Sequence, residues 1–240
     1  MPKPSGMESL SILCRQWGLS LEGLLYSKKN RVYKARRGGC LCILKWFRPQ
    51  GEADWEFSIL TKAHGQRLRV PRPLNLWPGR AILMEYIPGE NLCDLLNERP
   101  SPELARSLAE WYAAFHRAFA QADRKVLLKG DSILRNFIWQ PESLWGIDFE
   151  ESRPGDPAED IGEITCSILS TDPMFTRGKI LLCRFLIDHY QRLAPLEGVE
   201  DALAQALVDT ARRRGADCLL PKARLIKEKG LDSLSAEDES

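Results

Sequence analysis

From Leu21 to Trp77 the apolar residues come in short blocks and alternations, which predict strands with one helix between them. LEGLLYS and RVYKA flank the polar loop SKKN in a hairpin-like arrangement. Gly38 and Gly39 make the next turn, and CLCILKWF follows as a strongly apolar strand carrying one lysine, Lys45. From Gly51 to His64 the spacing becomes helical: Trp55, Ile59 and Leu60 fall on one face, and Gly65 offers a stop. Pro71 and Pro73 then impose an extended segment, and AILMEYI reads as another buried strand.

After PGEN, Pro88 to Asn91, the character changes. Ser101 is placed as an N-cap with Pro102 in the first helical position. Leu104, Leu108, Trp111, Tyr112, Phe115 and Phe119 form a broad apolar stripe behind them. The loop KGDSILRN comes next, then FIW and LWGIDF, two short strands around the turn QPES. Beyond Pro157 the chain reads as helical over 159–170, 178–193 and 200–214. The expected division is a β-rich unit with a hinge over 1–87, a mainly helical unit over 88–232, and a disordered acidic tail, SLSAEDES, over 233–240.

Composition adds exclusions. With 44% hydrophobic and 28% charged residues in 240, the chain is globular, and a formal charge of +1 gives no direct nucleic-acid signal. Basic residues do cluster early, at Lys28, Lys29, Arg31, Lys34, Arg36 and Arg37; the later run Arg212, Arg213, Arg214 reads as a solvated face. The seven cysteines include no CxxC pair, and Cys40, Cys42, Cys93, Cys166 and Cys183 sit in apolar segments, as small hydrophobes do. No secretory signal is legible and no apolar run approaches the ~20 residues of a membrane span, so a cytoplasmic location is expected. His64, His116 and His189 lack metal-ligand spacing, and His116 is expected to pack at the end of its helix.

Several polar residues stand where chemistry could be built. Lys45 on its strand reads either as a lysine reaching solvent or as one that could pair with phosphate, in which case Glu56 would position it, with Glu52 as competitor. Asp131 and Asn136, five apart in a loop, read as an Asx-type turn or as a hydroxyl acceptor and a metal ligand. Asp148 follows an apolar strand, where an unpaired carboxylate is costly and Mg²⁺ would offset the cost. Asp160 reads equally as a helix N-cap or as a brace for the loop.

Taken in order, NRVYKA, CLCILKWF, EFSILTKAHG, VPRPL, ILMEYIPGENL, KGDSILRN, WGIDFEE and GDPAEDIGE resemble the protein-kinase-like superfamily. The match is to its branch of aminoglycoside, choline and lipopolysaccharide-sugar phosphotransferases and spans residues 20–170 or so. The resemblance implies an α+β, two-lobed kinase-like fold, with a small antiparallel sheet and one helix in the first lobe, a mainly helical second lobe, and ATP in the cleft. It implies Asp131 as catalytic aspartate, Asn136 and Asp148 as Mg²⁺ ligands, and Lys45 with Glu56 as the phosphate-positioning pair. Lys28 and Asn30 would belong to the loop over the phosphates, the backbone of Glu85 and Ile87 would meet the adenine, and Asp160 would brace the catalytic loop.

Three departures shape the functional expectation. Lys129 stands where the family usually has His, the loop SKKNRVY has no glycine, and IDFE replaces DFG with no APE-like segment after it. The leading expectation is an ATP- and Mg²⁺-dependent transfer to a hydroxyl of a sugar, an aminoglycoside-like compound or a lipopolysaccharide core glycan. A small RIO-like protein kinase acting on a protein acceptor and a nucleotide-binding pseudokinase scaffold are the alternatives, the latter supported by Lys129.

Overall fold

The computed structural model describes residues 6–49, 52–121 and 125–235. They divide into two compact units: one runs to His64 and resumes over Pro71–Ile87, and the other takes Gly65–Val70 and the described residues from Pro88 onward.

The first unit opens with helix α1 (Gly6–Trp17), followed by β1 (Leu19–Leu25), β2 (Arg31–Arg37) and β3 (Cys40–Trp46). After α2 (Ala53–Gly65) come β4 (Pro73–Trp77) and β5 (Ala81–Glu85). The strands form one antiparallel sheet in the order β1-β2-β3-β5-β4. The pleat sorts β3 into two faces. Cys42, Leu44 and Trp46 join Ala35, Ala81, Leu83 and Leu13 of α1 in a buried cluster. Lys45 therefore points to the opposite face, where α2 buries Ala53, Glu56, Ile59, Leu60 and Ala63. Of the expected apolar face of α2, Ile59 and Leu60 are buried, whereas Trp55 at its edge is 40% exposed. Residues 50 and 51 of the expected helix lie outside the described residues.

The second unit starts with β6 (Glu90–Asn91), α3 (Leu92–Glu98) and α4 (Pro102–Ala118). The apolar stripe of α4 is buried from Leu104 to Phe115, and Trp111 stacks on Phe115 at 5.1 Å while meeting Phe137 edge-on at 5.1 Å. β7 (Val126–Leu128) pairs with β10 (Arg153–Gly155), and β8 (Phe137–Gln140) pairs with β6 and β9 (Ser143–Gly146). β9 ends earlier than the apolar run LWGIDF predicts, so Asp148 lies beyond the strand. α5 (Pro157–Leu169), α6 (Arg177–Leu193), α7 (Val199–Arg214) and α8 (Leu219–Lys229) complete the unit, with a 3-10 turn over Leu231–Ser235. Of the expected disordered tail, Ser233, Leu234 and Ser235 sit in that turn, and residues 236–240 lie outside the described residues.

All seven cysteines are free thiols. Cys42, Cys93, Cys166 and Cys183 are buried, whereas Cys40 is exposed, its β3 position being the first of the strand. Among the described residues, no helix is long and apolar enough to cross a membrane.

Candidate active site

In the first unit the lysine on the central strand has a partner. Lys45 Nζ lies 2.7 Å from Glu56 Oε2, with side chains only 7% and 1% exposed, and the ammonium sits 5.0 Å from the Phe47 ring centroid. Removing one member of a buried pair leaves the other charge uncompensated, at a cost of about 3–5 kcal/mol. Glu52 is exposed, and its carbonyl instead accepts from the Glu56 amide at 2.9 Å. In the β1–β2 loop the Lys28 carbonyl accepts from Arg48 Nη2 at 3.1 Å. Asn30 Oδ1 accepts from the Arg48 amide, and the Asn30 amide donates to Ser27 Oγ, each at 3.3 Å. The Lys28 and Lys29 side chains are exposed. Glu85 closes β5, its amide donating to the Arg72 carbonyl at 2.9 Å and its Oε2 accepting from the Arg72 amide at 3.2 Å. Ile87, the last residue of this unit, is buried.

In the second unit one face of α5 holds the Lys129–Asn136 loop. Asp160, Glu163 and Ser167 stand three and four apart, one above another on a helix. Asp160 accepts from the amides of Lys129 (2.7 Å) and Gly130 (3.1 Å) and from Ser132 Oγ (2.6 Å). Glu163 accepts from the Ser132 amide and Ser167 Oγ from the Leu134 amide, each at 3.0 Å. The N-cap of α5 is Asp156, in a capping box with Glu159, which leaves Asp160 inside the helix and aimed at the loop. Gly130 has φ +64°, and a Cβ there would come 2.3 Å from the Glu151 carbonyl oxygen. Only glycine meets both demands.

The loop so held presents Asp131 with φ +40°. Asn136 Nδ2 donates to the Asp131 carbonyl at 2.9 Å and to its Oδ2 at 3.0 Å. The Ile147 amide donates to the Asn136 carbonyl at 3.0 Å, extending the β8–β9 ladder by one step and placing Asp148 directly after it. Asp148 is itself left-handed, with φ +63°. Two non-glycine residues in this sparsely populated region, both carboxylates and both beside Asn136 in the fold, mark a site where surrounding structure over-determines the backbone.

The profile of the phosphotransferase enzyme family, APH, matches residues 28–125, a stretch that contains Lys45 and Glu56 and ends before Asp131. The solved choline kinase of Cryptosporidium parvum superposes with a TM-score of 0.66 at 12% identity, covering 96% of this chain and 99% of its own. A choline/ethanolamine kinase family protein from Mesorhizobium loti gives 0.63 at 15% identity over 95% and 98% of the chains. APH(2")-IIa in its ternary complex with streptomycin and ATP gives 0.63 at 18% over 87% and 88%. The chain has the fold of these kinases, and its residues 28–125 are similar to the phosphotransferase enzyme family.

Around the Lys129–Asn136 loop stand residues whose contacts the sequence did not disclose. His116, expected merely to pack, donates or accepts at both ring nitrogens, with Nε2 3.0 Å from Asp160 Oδ2 and Nδ1 2.7 Å from the Tyr190 hydroxyl. A histidine on a buried helix face needs such partners, which is the one sequence signal that pointed to it. Burial opposes the charge of Asp160, but the His116 hydrogen bond and charge, Ser132 and the Lys129 amide together hold its carboxyl below the ordinary range. Burial pushes the Glu163 carboxyl up against the pull of the Ser132 amide, and the neighbouring Asp160 charge adds to the rise.

Proposed function

We propose that the protein transfers the γ-phosphoryl group of ATP to a hydroxyl of a small sugar-like acceptor, an aminoglycoside-like compound or a lipopolysaccharide core sugar. The observation that carries this reading is the clamp of Asn136 Nδ2 on both the carbonyl and the carboxylate of Asp131. It fixes one carboxylate in a loop whose amides α5 already holds, as a base that must meet a hydroxyl at one position requires.

In this reading the acceptor oxygen attacks the γ-phosphorus, the bond to the bridging oxygen breaks with its electron pair leaving on ADP, and the hydroxyl proton passes to Asp131. Lys45, oriented by Glu56, pairs with the α- and β-phosphates, and the backbone of Glu85 and Ile87 meets the adenine. Lys28 and Asn30 belong to the loop over the phosphates. With its Nδ2 engaged by Asp131, Asn136 has Oδ1 as the side-chain atom for a cation, and with the Asp148 carboxylate it forms a hard oxygen donor set that fits Mg²⁺. Mg²⁺ bound there would neutralise phosphate charge.

The test is phosphoryl transfer from γ-labelled ATP with Mg²⁺, wild type beside Asp131→Asn, over a panel of sugar, aminoglycoside and lipopolysaccharide acceptors. Label should appear on one acceptor class with wild type and fall about 10²–10⁴-fold with the variant. Full transfer by Asp131→Asn would remove the assignment of the loop. Label on protein alone would favour the RIO-like alternative, and nucleotide binding without transfer or hydrolysis the scaffold.

A further inference from the structure

Lys129 is completely buried, a costly place for an ammonium. Its surroundings account for it in an unusual way. Nζ lies 5.5 Å from the centroid of Phe137 and 5.4 Å from that of Phe149, and donates to the Asp148 carbonyl at 3.1 Å. Aromatic faces attract a desolvated cation through their quadrupole, so both rings and the carbonyl compensate for its lost hydration. The backbone of Lys129 is equally tied, its amide donating to Asp160 at 2.7 Å and its carbonyl accepting from Ser152 Oγ at 2.7 Å.

The identity of these partners matters more than their number. Phe137 directly follows Asn136, Phe149 directly follows Asp148, and Lys129 itself stands two residues before Asp131. One ammonium thus touches the segments that carry both proposed metal ligands, from a backbone that carries the proposed base. Its hydrogen bond falls on the carbonyl of a residue held at φ +63°, a conformation that needs outside support. An apolar side chain of similar length would fill the space without holding that carbonyl or drawing the two rings together.

We infer that Lys129 is a positioning residue for the metal site: its buried ammonium sets the relative placement of Asn136 and Asp148. The inference rests on the phosphotransferase reading for the role of those two side chains, and it turns a residue that suggested a degraded site into part of a working one. Residues behind a metal ligand change metal affinity by about 10–100-fold when removed. A side chain that only fills volume changes stability instead.

The experiment measures Mn²⁺ binding by electron paramagnetic resonance with a non-hydrolysable ATP analogue, alongside thermal melts, for wild type, Lys129→Met and Lys129→Arg. The arginine keeps the cation and can stack on both rings. Expected is an affinity loss of about tenfold or more in Lys129→Met, with Lys129→Arg within about threefold of wild type. Unchanged binding in a folded Lys129→Met would overturn the inference, and so would equal losses in both variants, since shape and not charge would then be the cause. If Lys129→Met does not fold, Lys129→Gln takes its place with the same expected loss. Failure of wild type to bind Mn²⁺ with the nucleotide would instead overturn the reading of Asn136 and Asp148 as metal ligands, and the inference with it.

Discussion

Asp160 gathers four hydrogen bonds at the loop, and its charge is what they share. It accepts from two amides, a hydroxyl and His116 while only 1% exposed. Because its folded pKa lies below that of the unfolded chain, its contribution to stability is present above the unfolded value, about 3.9, and is lost as pH falls through the folded one. Asp160→Asn retains an acceptor but loses the charge, and it turns an amide donor toward groups that already donate. It is expected to lower stability at pH 7 by at least about 2 kcal/mol, on the scale of hydrogen bonds to a charged group. The gap to wild type should narrow as pH drops below about 4, which urea titrations at pH 7 and pH 3 would measure. A gap independent of pH would mean that packing, not charge, is the source.

At the scale of elements, helix ends and loop amides decide what positions the site. α5 begins with a complete capping box, in which Asp156 Oδ1 accepts from the Ala158 amide at 3.0 Å and Glu159 Oε1 from the Asp156 amide at 2.9 Å. The N-cap of α4 is Ser101, whose side chain makes no cap bond. Asp156→Ala should therefore cost about 1 kcal/mol in a urea midpoint measurement, and Ser101→Ala less than about 0.5 kcal/mol. Equal effects would sink the argument that caps, and not composition, fix these ends. Much of this level was legible in the sequence: the strands and the long helices appear where alternation or a helical stripe is strong. What was not legible shows why. The periodic set Leu10, Leu13, Cys14 and Trp17 of α1 is short and stands ahead of the strand pattern, yet it packs on the sheet. The order Lys45, Glu56, Asp131, Asn136, Asp148 could be read because each falls in a recognisable local setting. The bonds of His116 to Asp160 and Tyr190 span 44 and 74 positions, and no local pattern encodes such a meeting.

At the scale of the whole molecule, the proposed roles separate into groups that hold the nucleotide with its metal and one group that reacts. A ligand that binds only the native state stabilises it by RT ln(1 + [L]/Kd), about 2.7 kcal/mol at a hundredfold excess over Kd. For a chain of 240 residues that corresponds to a rise in Tm of roughly 5–10 °C. Mg²⁺ with a non-hydrolysable ATP analogue should produce this rise in the wild type, and chelation of the metal should abolish most of it. Asp148→Asn should lose the metal-dependent part of the shift, because an amide is a weaker ligand for a hard cation than a carboxylate. Asp131→Asn should keep nearly all of it while lowering transfer about 10²–10⁴-fold, because the proposed base acts on the acceptor hydroxyl and not on the bound nucleotide. The reverse pattern, a shift lost in Asp131→Asn and kept in Asp148→Asn, would exchange the two aspartates and require the base to be sought after β9.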